Sequence, residues 1–94
     1  MNTLVATNAN DLANLVFGPD AKTKTKHSKG RTDVVGRIPG LGKVRIVVTE
    51  EDKDLGFGVW GPKGKGSYGF ATAESFTADK LAKFATEAKA RLGL

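Results

Sequence analysis

The chain has 94 residues, of which 39% are hydrophobic, and it contains no cysteine and a single histidine. This length predicts one small domain over residues 1–94, with little room for an elaborate enzyme pocket. The lack of cysteine excludes disulfides, zinc–thiolate sites and cysteine nucleophiles. Its 15 lysines and arginines outnumber its 10 aspartates and glutamates, and the resulting net charge of +5 favours a polyanionic partner.

The hydropathy pattern gives no reason to expect a membrane partner. No stretch approaches the ~18 consecutive apolar residues of a transmembrane helix. The first residues lack the basic start and the long apolar core of a secretory signal. The expected compartment is therefore the cytoplasm, or the nucleoid within it.

The first predicted element is a short helix over Ala9–Phe17. Asn8 precedes it as an N-cap, and Gly18 followed by Pro19 is a typical stop signal. Its apolar stripe consists of Leu12, Leu15 and Val16.

The segment after this helix is strongly basic. Between Lys22 and Arg31 it has five cations and no acid, and these cations equal the whole net charge: Lys22, Lys24, Lys26, Lys29 and Arg31. Because the segment has no apolar residue to place in a core, we expect a mobile loop, in which His27 is solvated. Such an arm suits a phosphate backbone, because each neutralised phosphate releases counterions. A merely solubilising loop is the alternative.

Four extended runs follow, and their alternation predicts an antiparallel sheet. The runs are Asp33–Ile38, Lys43–Glu50, Leu55–Trp60 and Ser67–Ala73. A glycine-rich hairpin at residues 61–66 carries Lys63 and Lys65. The last predicted element is a helix over Ala78–Leu92, with Thr77 as its cap, Phe76 and Leu81 as a hydrophobic staple, and Gly93 at its end.

Alternation also assigns the strand side chains to two faces. The apolar face, expected to pack on the C-terminal helix, collects Val34, Ile38, Val44, Ile46, Val48, Leu55, Phe57 and Val59, and Tyr68 and Phe70 can join it. The other face collects Val35, Arg37, Lys43, Arg45, Val47, Thr49 and Trp60, with the small residues Gly56, Gly58, Ser67, Gly69 and Ala71 between them. A register change of one residue would move Tyr68 and Phe70 to the opposite face.

A large aromatic ring beside cations on a flat surface is typical of single-stranded nucleic-acid binding. Trp60 would stack a base, and Tyr68 is a second candidate for stacking. The cations that would hold phosphates are the five of the basic segment, Arg37, Lys43 and Arg45 on the sheet, and Lys63 and Lys65 in the hairpin. Two alternatives stay open for Trp60: the N-terminal helix covers it, or it forms the centre of a protein interface.

Two resemblances to known families point the same way. The run Lys65-Gly66-Ser67-Tyr68-Gly69-Phe70-Ala71 resembles the first ribonucleoprotein motif of RNA-recognition and cold-shock domains, in which strand aromatics stack on bases. The order of strands, basic hairpin and C-terminal helix over residues 33–92 resembles the single-stranded-DNA-binding transcriptional coactivators. That second resemblance implies a homodimer built through the C-terminal helices, which binds two strands of melted DNA in transcription regulation.

No pattern in the chain predicts catalysis. Two G-x-G-x-x-G matches, at residues 56–61 and 64–69, do not join a strand to a helix in a βαβ unit, as a dinucleotide site requires. The carboxylates Glu50, Glu51, Asp52 and Asp54 share a charged turn and lack the spacing of a calcium loop. We therefore predict no enzyme activity, no cofactor and no metal site.

The sequence as a whole predicts an α+β domain, with a twisted four-stranded antiparallel sheet packed on a C-terminal amphipathic helix. Its segments are an N-terminal helical segment (1–18), a basic flexible loop (19–32), the sheet (33–73) and the C-terminal helix (77–92). The predicted function is non-enzymatic binding of DNA or RNA, with single strands favoured. The alternative is a small inhibitor or accessory protein, for example a phage-encoded one, that binds a host enzyme through Trp60 or the basic surface.

Overall fold

The computed structural model describes residues 3–51, 54–72 and 77–94, and it has an α+β fold. In chain order the elements are α1 (Thr3–Phe17), β1 (Thr23–Ser28), β2 (Arg31–Ile38), β3 (Gly42–Glu51), β4 (Asp54–Trp60), a 3₁₀ turn (Pro62–Gly64), β5 (Gly66–Thr72) and α2 (Ala78–Leu92). Each strand pairs antiparallel with the next, so the order across the sheet is the chain order. The predicted α+β class is confirmed, with five strands in place of four.

One face of the sheet carries the hydrophobic core. Its buried strand residues are Val34, Val44, Ile46, Val48, Leu55, Phe57 and Val59. Both helices pack on this face, with α1 against β2 and β3 and α2 against β5, and the helices also contact each other. The ring of Phe84 in α2 meets that of Phe57 edge-on at 4.5 Å between centroids. In the described part of the chain, no helix lies on the opposite face.

The first helix is longer than predicted, because it begins at Thr3 and not at Ala9. Asn8 is therefore no N-cap but a buried helical residue, and its Nδ2 atom has no hydrogen-bond partner. Residues at helical spacing along the whole element are buried against the sheet: Val5, Ala9, Leu12, Ala13 and Val16. This packing outweighs the local cap signal. Leu15, predicted in the apolar stripe, is instead exposed.

The basic segment is partly an edge strand, and the prediction of a mobile loop over residues 19–32 is wrong for Thr23–Ser28 and for Arg31 and Thr32, which begin β2. The strand β1 pairs with β2 from Thr23 opposite Gly36 to Ser28 opposite Arg31. An edge strand needs only backbone partners on one side, so it forms without the apolar alternation that would have predicted it. His27 lies within this strand, and its Nδ1 atom is 3.1 Å from the hydroxyl of the buried Thr32. Lysines along such an edge oppose pairing with another chain.

The C-terminal helix has the predicted bounds and caps. The Thr77 hydroxyl accepts a hydrogen bond from the Lys80 amide at 3.3 Å, while Phe76 of the predicted staple lies outside the described residues. Gly93 has a left-handed conformation with a φ of 85°, and its amide donates to the carbonyl of Ala90. The buried stripe of this helix is Leu81, Phe84, Ala85, Ala88 and Leu92.

Two substitutions on the buried side of α1 should change stability in opposite directions. Asn8→Ala removes a buried N–H group without a partner and introduces the best helix former, so we expect the free energy of unfolding to rise by about 0.5–1 kcal/mol. Leu12→Ala leaves a cavity beneath the helix and should lower it by about 2–5 kcal/mol. Urea denaturation followed by circular dichroism measures both values. A loss of stability in Asn8→Ala would contradict the assignment of an unpaired amide.

Candidate functional site

The face of the sheet opposite both helices is called the open face below. Three rows cross all five strands on it: Lys24–Val35–Arg45–Trp60–Gly66, Lys26–Asp33–Val47–Gly58–Tyr68 and Ser28–Arg31–Thr49–Gly56–Phe70. The pairs Arg37–Lys43 and Asp54–Thr72 lie beyond them at the two ends of the face. On the first three strands the rows carry basic or polar side chains, with Val35 and Val47 between them, and on the last two strands they carry glycine and aromatic residues. The open face therefore has a basic half on β1–β3 and an aromatic half on β4 and β5.

The basic half brings together residues that are distant in the sequence. Its exposed cations are Lys24, Lys26, Arg31, Arg37, Lys43 and Arg45. All of them were predicted as site residues. Among the described side chains of this face, the acids are Asp33 and Asp54. Because neighbouring strands lie about 4.8 Å apart, cations on three adjacent strands produce one continuous region of positive potential.

Arg31 differs from the other cations because it forms a two-point ion pair with Asp33. Its Nε donates to Asp33 Oδ1 at 2.7 Å, and its Nη2 donates to Oδ2 at 3.1 Å. The hydrogen bonds from Arg31 are the main cause that lowers the pKa of the Asp33 carboxyl, and the positive charges of Arg45 and Lys26 act in the same direction. The same contact raises the pKa of the Arg31 guanidinium. The charge of Arg31 is therefore balanced locally.

The aromatic half consists of three exposed rings. Trp60 is 40% exposed, and Tyr68 and Phe70 are each 60% exposed. The Trp60 and Tyr68 rings stack with centroids 6.2 Å apart and planes at 29°, and Phe70 meets Tyr68 edge-on at 4.8 Å. The alternative in which the N-terminal helix covers Trp60 is wrong, because α1 packs on the opposite face.

The space above the glycines of β4 is filled by the protein's own aromatic side chains. A Cβ atom added at Gly58 would lie 2.8 Å from Trp60 Nε1, and one added at Gly56 would lie 3.1 Å from the Phe70 ring. The glycines let the rings lie close to the backbone. A ligand on this face would therefore meet the outer surfaces of the rings and not the bare glycine floor that the sequence predicts.

The register of the last hairpin decides which residues of β5 are exposed. Trp60 pairs with Gly66, so the connection has five residues, and the Gly61 amide donates to the Lys65 carbonyl at 2.7 Å. The loop predicted from the sequence is one residue longer, so the assignment of Ser67, Gly69 and Ala71 to the face of Trp60 is wrong, whereas the sequence left the face of Tyr68 and Phe70 open. Ser67, Gly69 and Ala71 lie on the core face, whereas Tyr68 and Phe70 share the face of Trp60. Phe70 is thus a candidate site residue that the predicted set did not include.

A pocket of about 280 Å³ lies at the centre of the open face, where the two halves meet. Its aromatic side is formed by Trp60 and Tyr68, and Thr49 and Gly58 also line it. Arg31 lines it as well, so the ion-paired guanidinium and the stacked rings belong to the same pocket.

Besides a depression of about 370 Å³ lined by Lys43, Arg45 and Trp60, two larger ones adjoin the open face. One, of about 590 Å³, lies beside β5 and is lined by Trp60 and Tyr68 together with Lys80, Lys83 and Arg91 of α2. Sequence reasoning missed these cations, because charges on the outer side of an amphipathic helix are usually only solvated. The other, of about 820 Å³, lies at the start of β1, where Lys22 is one of its lining residues.

The remaining predicted site residues lie away from the open face or outside the described side chains. Lys29 belongs to the turn between β1 and β2, and Lys65 is exposed just before β5. Lys63 lies in the 3₁₀ turn, and its side chain is outside what the structure describes. The predicted charged turn is also only partly described, because Asp52 falls in the gap while Glu50 and Asp54 belong to strands.

Comparisons with protein-family models, with curated proteins and with solved structures found no match for this chain. What the protein does is therefore inferred from its own residues and their geometry. Over residues 3–51, 54–72 and 77–94, no three His, Asp or Glu side chains are grouped so that they could hold a metal ion. In the same part of the chain, no helix has the length and apolar character needed to cross a membrane.

The ion pair predicts a pH dependence of stability. Because the pKa of Asp33 is lowered in the folded protein, the pair stabilises the fold above the ordinary carboxyl pKa of about 3.9 and is lost as the pH falls through the folded value. Asp33→Asn should therefore lower Tm by a few degrees at about pH 7 and by much less at about pH 2, since an exposed pair contributes less than about 1 kcal/mol. Asp54→Asn is the control for an exposed acid on the same face. An equal Tm deficit at both pH values would contradict this assignment.

Proposed function

We propose that this protein binds single-stranded nucleic acid on its open face, without catalysing a reaction. The observation that carries the proposal is the meeting of three exposed rings and a group of cations on one face that neither helix covers. Bases would stack on Trp60, Tyr68 and Phe70, while the cations of β1–β3 neutralise phosphates.

The aromatic half favours single strands over a duplex. In a duplex the flat surfaces of the bases are stacked on one another, so exposed rings on a protein surface cannot reach them. Unpaired bases can turn outward and stack on aromatic side chains. A duplex would contact the basic half alone and would therefore bind more weakly at the same salt concentration.

The register supports a path for the strand along the boundary of the two halves. Arg45 lies directly opposite Trp60 on the neighbouring strand, where Cα atoms are about 5 Å apart. A nucleotide whose base stacks on Trp60 would therefore have its phosphate within reach of Arg45. Lys24, in the same row, extends this basic side to the edge of the sheet.

The proposal does not require a dimer. The apolar stripe of α2 is buried in the core of its own chain, so a homodimer through the C-terminal helices would have to use their exposed side. Both DNA and RNA fit the proposed contacts, because rings and cations recognise features that both share. A role in transcription regulation, in the cytoplasm or the nucleoid, belongs to the same proposal.

Trp60→Ala tests the stacking contact. We expect the Kd for a single-stranded oligonucleotide of about ten nucleotides to rise between about 5-fold and 100-fold, since a stacked base contributes ~1–3 kcal/mol. Leu15→Ala removes an exposed apolar side chain from α1, on the other side of the molecule, and should leave the Kd unchanged. Fluorescence anisotropy of a labelled oligonucleotide measures both. An unchanged Kd in Trp60→Ala would reduce the contact to electrostatics.

A protein partner is the second candidate, because clustered exposed Trp and Tyr are also typical of binding hot spots. The protein would then be an inhibitor or accessory subunit that binds a host enzyme with an acidic surface. Salt distinguishes the two functions. Contacts to several phosphates should cost orders of magnitude in affinity between about 50 and 200 mM salt.

The salt titration uses the intrinsic fluorescence of Trp60, the single tryptophan of the chain, with single-stranded and duplex oligonucleotides. We expect quenching by single strands that saturates at low salt and is largely lost at physiological salt. No binding of either oligonucleotide at low salt would reject the nucleic-acid function and leave the protein partner as the candidate.

A further inference from the structure

We infer that the central pocket of the open face selects a guanine base, and that Arg31, held in place by Asp33, recognises it. This inference rests on the proposed function, because it concerns one nucleotide of the bound single strand. It concerns a specificity that stacking alone does not supply, since every base has a flat surface that can stack.

The first argument is the set of donors that the ion pair leaves available. Arginine has five N–H donors arranged as a planar fork. Asp33 accepts from Nε and from one hydrogen of Nη2. Both hydrogens of Nη1 and the second hydrogen of Nη2 are left over by this bond, and they include the two parallel donors at the end of the guanidinium. Asp33 therefore orients Arg31 and still leaves it a two-donor edge.

The second argument concerns charge. With its positive charge balanced by Asp33, Arg31 has less attraction for phosphate than the other cations of the basic half, such as Arg45 and Lys43. A balanced guanidinium still donates hydrogen bonds to neutral acceptors. The pair is therefore better suited to the edge of a base than to the phosphate backbone.

The third argument is position. Arg31 lines the same pocket as Trp60 and Tyr68, with the Thr49 side chain between β2 and the aromatic strands. Arg31 on β2 and Gly56 on β4 belong to one cross-strand row, two strand spacings or about 10 Å apart, and Gly58 lies one row further along β4. A base that stacks on the rings would extend its edge across the pocket toward Arg31.

Guanine fits this arrangement better than the other bases. Its N7 and O6 atoms are adjacent acceptors that match two parallel arginine donors, whereas adenine has an amino group in place of O6. Cytosine also has two adjacent acceptors, but its single ring spans less of the distance between the aromatic strands and β2. A two-ring base also stacks over a larger area.

The test compares oligonucleotides of about ten thymidines in which the central position is dT, dG, dA, dC or 7-deaza-dG. Competition against a labelled oligonucleotide measures each Kd with the complete protein. We expect dG to bind about 5- to 100-fold more tightly than dA, the range for one two-point arginine contact. The 7-deaza base lacks the N7 acceptor and should lose most of this preference.

Two variants assign the preference to the ion pair. Arg31→Lys keeps the charge but not the fork, so the dG-to-dA ratio should fall toward unity. Asp33→Asn frees the guanidinium charge, so all the oligonucleotides should bind more tightly while the ratio falls. Arg37→Lys, an arginine on the same strand and face but outside the central pocket, should keep the ratio whatever its effect on affinity.

The outcomes separate this inference from the proposed function. Equal Kd values for dG and dA would overturn guanine selection and leave single-strand binding intact. A preference for dC, or undiminished binding of the 7-deaza base, would likewise overturn the assignment of N7 and O6. Retention of the ratio in Arg31→Lys would overturn the role of Arg31. No binding of any oligonucleotide would reject the proposed function itself.

Discussion

The fold depends on the burial of a single apolar face of the sheet. Val44, Ile46 and Val48 are almost inaccessible on this face, and each such side chain contributes roughly 1.5–3 kcal/mol when fully buried. Both helices have their own apolar stripes to bury, and this face is the apolar surface against which they can do so. Because α1 and α2 share it, the opposite face of the sheet carries no helix in the described part of the chain.

That shared packing has a consequence for surface chemistry. A face without a covering layer can carry charges and rings without a desolvation cost, so the side chains that alternate with the core residues are free to differ in character from strand to strand. The glycines of β4 let the large rings of Trp60 and Phe70 lie close to the backbone of the sheet, so the rings project little above it. The result is a flat surface with two chemically different halves, which suits a ligand that is itself charged on one side and flat on the other.

Within the basic half, Arg31 differs from the other cations because its ion pair with Asp33 fixes its orientation and balances its charge. Most cations of the open face are exposed groups that contribute mainly to the electrostatic potential. Arg31 is held by two hydrogen bonds and has a defined orientation beside the rings. A preorganised donor loses less conformational entropy on binding than a free side chain, so it is the kind of group that contributes specificity.

By itself the sequence determined the elements whose local signals agree with their packing. The alternation of β3 and β4 identified the core, and Thr77 and Gly93 identified the ends of α2, because these residues satisfy backbone groups locally. Only the tertiary structure decided the rest. The strand β1 forms through backbone pairing that leaves no apolar pattern, and α1 extends through packing on the sheet. The exposure of Tyr68 and Phe70 depends on one residue of loop length, and since side chains alternate with a period of two, that residue decides the face on which every β5 side chain lies.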